Sequence, residues 1–371
     1  MAVRILQIVT HMNRGGLETM LMNYYRYIDR NKIQFDFLVH RGKEADYDAE
    51  ILSMGGKIYR LPPLNPLSPS YLRSLDNFFA EHKEYKIVHC HLDCMAGVPL
   101  KYAKKHGIQI RIAHAHSSNQ TKDAKYLLKL IYQPSITKFA NYFFACGTDA
   151  GKWMFRTNDF TVLKNAIDTE RYRYSRETAS RVRKNLGIAQ DTFVVGHVGN
   201  FTPPKNHRFI LCVFAKLLEK KPDAYLLLVG DGQLRRSSEE QAKELGIQNN
   251  VIFAGLRSDV NELLQAMDVF LFPSIYEGLP LSIVEAQAAG IPCLISDRVP
   301  IECKRTNLVQ QMSLDEHMDI WRDAVLTNVH TPREDTLNEI KAAGFDIREN
   351  ALWLQDFYLS AEENGGCLCQ C

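Results

Sequence analysis

Apolar residues along this chain fall in two alternating rhythms. Short β-rich runs at 4–10, 33–39, 86–91, 109–113 and 142–146, then at 192–199, 224–230, 251–254, 268–273 and 292–296, are separated by longer stretches of helical spacing such as 17–28, 71–82, 206–220 and 233–245. Leu226-Leu227-Leu228-Val229 is apolar at every position, the pattern of a strand covered on both faces. Strands alternating with helices predict an α/β fold of parallel sheets with helices on both sides. In such sheets ligands bind beyond the carboxyl ends of the strands, so the residues that follow each run are where chemistry is expected.

The alternation pauses over 165–190, a polar stretch rich in Arg and Tyr, and resumes at Thr192. The domain boundary is placed in this pause, giving a first domain 1–170 and a second 171–345. A final helix at 346–362 gathers Trp353, Phe357 and Tyr358 on one face and must pack on something. A length of 371 residues supports two domains at roughly 100–200 residues each. A net charge of only +2 argues against a dedicated nucleic-acid binder. No apolar run reaches the about 18 residues of a membrane span, and the first residues are too short and wrongly flanked for a signal peptide. A cytoplasmic protein is expected. The nine cysteines are an odd number without framework spacing and read as free thiols. The tail 363–371, with Cys367, Cys369 and Cys371, does not fit a prenylation box and reads as disordered or as a metal-binding tail.

The strongest chemical signal runs from Pro273 through Glu277-Gly278-Leu279-Pro280 to Glu285-Ala286. A strand ends at Pro273, a glycine turn follows, and Pro280 stands where the first helical residue is expected, with Gly290 as the stop. The first-turn amides of that helix suit a phosphate. Glu277 and Glu285, seven residues between them, suit sugar hydroxyls, which donate hydrogen bonds to carboxylates. This stretch resembles the signature of the GT-B-fold glycosyltransferases of family 4. The resemblance implies two Rossmann-like domains facing across a cleft, with the C-terminal helix crossing back to the N-terminal domain. It assigns Glu277 to hydroxyls of the donor sugar and Glu285 to the ribose of the nucleotide, with Gly278 and Leu279 lining the same donor site.

The likeness extends over nearly the whole chain. Gly15-Gly16 follows the first run, where the family has a glycine pair that lets the backbone approach a ligand. Val195-Gly196-His197-Val198-Gly199-Asn200 to Lys205 is similar to the family's phosphate-binding loop, which gives Lys205 the donor diphosphate. A positioned cation would stabilise the charge growing on that leaving group. Asn200 stands where the family usually has an Arg, so one expected cation is missing, with Arg208 and Arg257 as possible substitutes. Gly230-Asp231-Gly232 and Gly255 resemble turns at the nucleotide end, and Asn165-Ala166-Ile167-Asp168 resembles the family's hinge. In Ile112-Ala113-His114-Ala115-His116 the resemblance puts His116 near the reacting carbon, donating to a sugar hydroxyl or stabilising positive charge as a neutral ring.

Two metal readings compete with this and are disfavoured. His89, His91 and Cys94 could join His114 and His116 as zinc ligands, although Cys90 points to the other face. Asp46-Tyr47-Asp48 formally matches the metal-binding Asp-x-Asp of another transferase class, but reads as a solvated acidic turn. No cofactor and no metal are expected. Between residues 95 and 140 lie eight basic residues (Lys101, Lys104, Lys105, Arg111, Lys122, Lys125, Lys129, Lys138) and one acid, Asp123. This region suits peripheral membrane contact. It equally suits a solvated basic face over buried Leu and Ile.

The resulting expectation is a retaining, metal-independent glycosyltransferase. It would move a sugar from a nucleotide-diphosphate donor, a UDP-sugar by preference, to a saccharide or lipid-linked saccharide acceptor in bacterial surface polysaccharide assembly. Alternatives on the same architecture are a nucleotide-sugar 2-epimerase, a phosphorylase, or a non-catalytic sugar-nucleotide-binding subunit. A dinucleotide dehydrogenase is disfavoured because no complete G-x-G-x-x-G follows the first run.

Overall fold

The structure is a computed structural model that describes residues 2–117, 126–329 and 331–365. The chain forms two compact units, one made of residues 1–166 with the segment from Ile347 onward, the other of 167–346.

The first unit is built on a parallel sheet of β1 (Val3–Val9), β2 (Ile33–Val39), β3 (Ile58–Arg60), β4 (Ile87–Cys90), β5 (Ile110–Ala115), β6 (Tyr142–Ala145) and β7 (Thr161–Val162). Its spatial order is β3-β2-β1-β4-β5-β6-β7. The second unit repeats the plan with β8 (Val194–Val198), β9 (Tyr225–Val229), β10 (Val251–Gly255), β11 (Val269–Phe272), β12 (Cys293–Ser296) and β13 (Val309–Met312), ordered β10-β9-β8-β11-β12-β13. Each order reverses once, between β1 and β4 and between β8 and β11. These are the switch points where doubly wound sheets open a crevice for ligands.

The inner strands are buried on both faces: β2, β4, β11 and β12 have no exposed residue, and β2 buries Gln34 and Asp36 along with its apolar residues. In the second unit Leu226, Leu228, Val269 and Leu271 pack with Phe214 and Trp321 in one core. The polar stretch after Asp168 is not a bare linker. It folds into helices Thr169–Tyr172 and Arg176–Asn185, capped by the Ser175 side chain. Arg183, amphipathic in its helix, buries its guanidinium on Asp268 (2.8 Å) and the Ala266 carbonyl (2.9 Å). A buried cation needs such a full set of acceptors.

Helix Ile347–Glu363 belongs to the first unit. Tyr358 is fully buried against Phe35, and Phe357 and Trp353 meet Phe144 of β6. The Gln355 carboxamide oxygen accepts from Asp29 N.

The basic region folds differently from a face over buried aliphatics. In helix Tyr126–Tyr132 no residue is buried, and Leu127 and Ile131 are 72% and 71% exposed. Arg111 is structural, donating to the carbonyls of Phe139, Ile108 and Gln109. Lys122, Asp123 and Lys125 lie outside the described residues, as do Cys367, Cys369 and Cys371 of the tail. Among the described residues, Cys90, Cys94, Cys146, Cys212, Cys293 and Cys303 are not joined in disulfides with one another.

Candidate functional site

In each unit the expected residues lie at the carboxyl ends of the strands, Lys205 and Glu277 at the switch point of the second. In the second unit β8 is followed by the loop that carries Lys205, and β11 by the loop that carries Glu277. The two loops are tied by Ile275 N donating to the Pro204 carbonyl (2.8 Å) and by Asn206 Nδ2 donating to the Pro273 carbonyl (3.1 Å). Close approach at this point needs glycine. Gly230 has φ +138°, and a Cβ there would lie 2.2 Å from the Gly199 carbonyl oxygen.

Lys205 Nζ lies 2.7 Å from Glu277 Oε1 and 4.6 Å from the centre of the Phe272 ring. The two side chains are only 18% and 13% exposed. An ammonium so placed faces one carboxylate and one aromatic face and retains capacity to bond an incoming anion, since a lysine carries three donors. Beneath it His197 Nδ1 donates to the Leu271 carbonyl (2.9 Å), and the His207 ring stacks on Phe201. Burial pushes both imidazoles down, His207 to about 4, so they stay neutral and leave the cationic role to Lys205.

Pro280 is the N-cap, not the first helical residue, and the helix runs Leu281–Ala288. Its extended φ/ψ places the proline one position earlier than its usual site inside the first turn. Gly290 takes the left-handed φ of +70° just past the helix. Glu285, in the second turn, is 7% exposed and accepts from the Tyr172 hydroxyl at 2.6 Å. Burial raises its carboxyl above the ordinary value, opposed by that hydrogen bond and by Arg171. Tyr172 was not legible in sequence because it lies 113 residues away, in the polar stretch where the domain boundary is placed.

The substitutes for the missing cation at Asn200 are differently placed. Arg208 is exposed, and Arg257 forks onto its neighbour Asp259 at 2.7 and 2.6 Å. Arg235 stands beside the Gly230-Asp231-Gly232 and Gly255 turns: its Nη1 would come within 3.3 Å of a Cβ at Gly255, and it pairs with Asp231 and Glu239.

In the first unit Gly15 caps helix Gly16–Tyr27, and the Glu18 carboxylate folds back to it, within 2.4 Å of where a Cβ would stand. Burial raises the Glu18 carboxyl to about 7. The start of this helix is therefore filled by the protein's own carboxyl group, which burial shifts toward its neutral form.

Beside this loop the sheet carries four histidines. Alternate residues share a face, so His89 of β4 and His114 of β5 project together with His91 and His116, which stand just past the ends of these strands. The register sets Gln7 of β1 next to His89. His91 contacts Gln7 Oε1 and His116 Nε2, both at 2.9 Å. His89 contacts the Tyr358 hydroxyl (2.6 Å) and His114 Nδ1 (3.2 Å). Asp93 accepts from His116 N at 2.9 Å. Burial, then mutual repulsion, holds His89 and His114 far below the ordinary imidazole range, and burial takes His116 to about 3.

His89, His91 and His114 offer nitrogens within 4.8 Å of one another. Every one of these ring nitrogens except His114 Nε2 already has a hydrogen-bond partner, so a metal would have to displace them. Cys94 instead turns to the Met154 sulfur. Asp48 is not solvated as the Asp-x-Asp reading supposed. It is 2% exposed, pairs with Arg60, and caps Ala45 N at 2.9 Å, a local bond that pulls it inward.

Known proteins match along the whole chain. The model for glycosyl transferases group 1 matches residues 179–304, and that for glycosyltransferase family 4 matches residues 14–171. The putative glycosyltransferase EpsF of Bacillus subtilis (strain 168) is 34% identical over 97% of this chain and 98% of its own. The capsular polysaccharide biosynthesis glycosyltransferase CapH of Staphylococcus aureus is 22% identical over 96% of this chain and 99% of its own. The crystal structure of Anabaena Alr3699/HepE in complex with UDP-glucose superposes with a TM-score of 0.79 at 20% identity, covering 96% of this chain and 99% of that one. Two parallel sheets of this order, and 34% identity to EpsF over almost its full length, make this chain a member of the family 4 glycosyltransferases, of GT-B fold.

Proposed function

We propose that this glycosyltransferase takes its sugar from a UDP-sugar and passes it, with retention at the anomeric carbon, to a saccharide or lipid-linked saccharide of a bacterial surface polysaccharide. The observation that carries the reading is the Lys205–Glu277 pair at the switch point of the second sheet. A half-buried ammonium there suits the diphosphate, whose charge grows as the glycosidic bond breaks. Glu277 then takes donor-sugar hydroxyls and Glu285 the ribose, while Gly278, Leu279, Gly255 and Arg235 line the same donor site. The second unit is thus the donor domain and the first the acceptor domain. UDP is supported by the ligand named for HepE, and surface polysaccharide by the name of CapH.

His116, held neutral by burial, offers a lone pair rather than a charge. In this reading it faces the donor sugar and stabilises positive charge developing at the anomeric carbon. No step uses a metal. The test is a panel of nucleotide-diphosphate sugars assayed for nucleotide release. One donor is expected to turn over, at the same rate with EDTA. Turnover of none, or a rate abolished by EDTA and restored by a divalent cation, would overturn the reading.

The first unit is read as docking on anionic lipid through helix Tyr126–Tyr132. Leu127 and Ile131 lie one turn apart and exposed, next to a region rich in lysine, the composition of an interfacial helix. Replacing both by Ser is expected to cut co-sedimentation with phosphatidylglycerol vesicles several-fold and to leave turnover of a water-soluble acceptor unchanged. Undiminished sedimentation would remove this helix as the contact.

A further inference from the structure

Four neutral histidines joined by short hydrogen bonds leave little freedom for their protons. Each ring has one N–H and one lone pair, and each bond needs one of each. Gln7 lies at the junction of two branches. Its Oε1 faces His91 Nε2 at 2.9 Å, and its Nε2 faces the Tyr358 hydroxyl at 3.4 Å.

The first branch follows from the carboxamide oxygen, which only accepts. His91 must donate from Nε2, so its Nδ1 is a lone pair. That lone pair takes its hydrogen bond from His116 Nε2, 2.9 Å away, and His116 Nδ1 is left without a proton. The second branch follows from the carboxamide nitrogen, which only donates. The Tyr358 oxygen accepts from it, so the phenol donates to His89 Nδ1 at 2.6 Å. His89 Nε2 then donates to His114 Nδ1 at 3.2 Å. The last proton, on His114 Nε2, is the buried group that has no partner. All four rings thus carry the proton on Nε2. Exchanging the oxygen and nitrogen of the Gln7 carboxamide would reverse every bond and move all four protons to Nδ1.

We propose that Gln7 is a positioning residue that sets the four tautomers as one unit and, through His91, makes His116 present a Nδ1 lone pair. The burial of Gln7, Tyr358, His89, His91 and His114, each at most 3% exposed, keeps water from competing for these bonds. The depressed imidazole pKa values keep the rings uncharged, so that tautomer and not charge is what Gln7 controls. The consequence for turnover rests on the reading of His116 as the residue that faces the donor sugar.

The experiment is a long-range ¹H–¹⁵N correlation spectrum of the full chain labelled at histidine, the four rings assigned from single His→Gln variants. In the wild-type protein His89, His91, His114 and His116 are expected to show Nε2 protonated and Nδ1 bare. A mixed set, or protons on Nδ1, would overturn the proposal without any variant at Gln7 having to fold. In Gln7→Met, close in volume, His91 and His116 are expected to lose the single tautomer. The kcat is expected to fall about three- to tenfold, with donor KM little changed, the effect of one neutral hydrogen bond to the sugar. Tyr358→Phe should release His89 and His114 while His116 keeps Nε2 protonated. An unaltered His116 tautomer in Gln7→Met would also overturn the proposal. Altered tautomers with wild-type kcat would leave the proton register standing and remove His116 from the donor sugar.

Discussion

Replacing Lys205 by Ala is expected to lower turnover of the donor by about 10²–10³-fold, the effect of removing one fixed charge-stabilising group from a reacting centre. The residue's surroundings make the case. Its ammonium is fixed at 2.7 Å from Glu277 and over the Phe272 ring, on a loop tied to the Glu277 loop by the Ile275–Pro204 bond. Its geometry is therefore in place before the donor arrives, and no reorganisation is needed as the diphosphate charge grows. The buried imidazoles of His197 and His207 stay neutral and cannot replace it. Loss of the ammonium also strips Glu277 of its counter-charge, so a stability change must be separated from a catalytic one. Melting curves of Lys205→Ala and Glu277→Gln serve that purpose, with donor affinity by calorimetry. If Lys205 acts on the diphosphate, its loss weakens UDP binding, whereas Glu277→Gln affects the sugar-bearing donor and leaves UDP alone largely unchanged. Near wild-type turnover in a folded Lys205→Ala protein would sink the donor-site assignment.

Much of this arrangement was legible along the chain, and the part that was not has a common physical cause. Ten strands stand out by their apolar runs, most of them because burial on both faces demands it, although β10 is an edge strand. β3, β7 and β13 did not. They are edge strands of two to four residues, and the Val-Gln-Gln-Met of β13 mixes polar and apolar positions because one side of an edge is left to solvent. The candidate residues Lys205, Glu277 and His116 could be placed at strand ends because a loop after a parallel strand has one place to go. The partners that complete them were hidden by distance in sequence. Tyr172 meets Glu285 across 113 residues, Gln7 meets His91 across 84, and Tyr358 meets His89 across 269. Gln7 reads as a polar residue within an apolar strand, and Tyr358 as one aromatic of an amphipathic helix. Neither local pattern says which polar tip it will meet. Asp48 failed for the opposite reason: a cluster of acids looks solvated until Arg60 closes over one of them.

Glu285 is expected to show function and stability pulling in opposite directions. Glu285→Ala should lose roughly 10- to 100-fold in kcat/KM, the value of a charge-assisted hydrogen bond to a ribose hydroxyl. Glu285→Gln keeps the shape and one acceptor but not the charge, and should lose less. In the free protein that charge is a liability. The side chain is 7% exposed and its carboxyl is raised above the ordinary 4.5, burial outweighing the Tyr172 bond. The fold therefore prefers the protonated form, so stability is unaffected by this group below the unfolded value and is lost as pH rises through the folded one. The neutral Gln escapes that loss. Glu285→Gln should accordingly melt higher than the wild-type protein at pH 7–8, and the difference should vanish below pH 4.5. Donor binding repays the wild-type cost, since ribose hydroxyls supply donors that the empty pocket lacks, and saturating UDP should narrow or invert the gap in melting temperature. A Glu285→Gln protein that is less stable at neutral pH, with the deficit persisting at low pH, would mean that Glu285 anchors Tyr172 as part of the fold and has no share in the ribose.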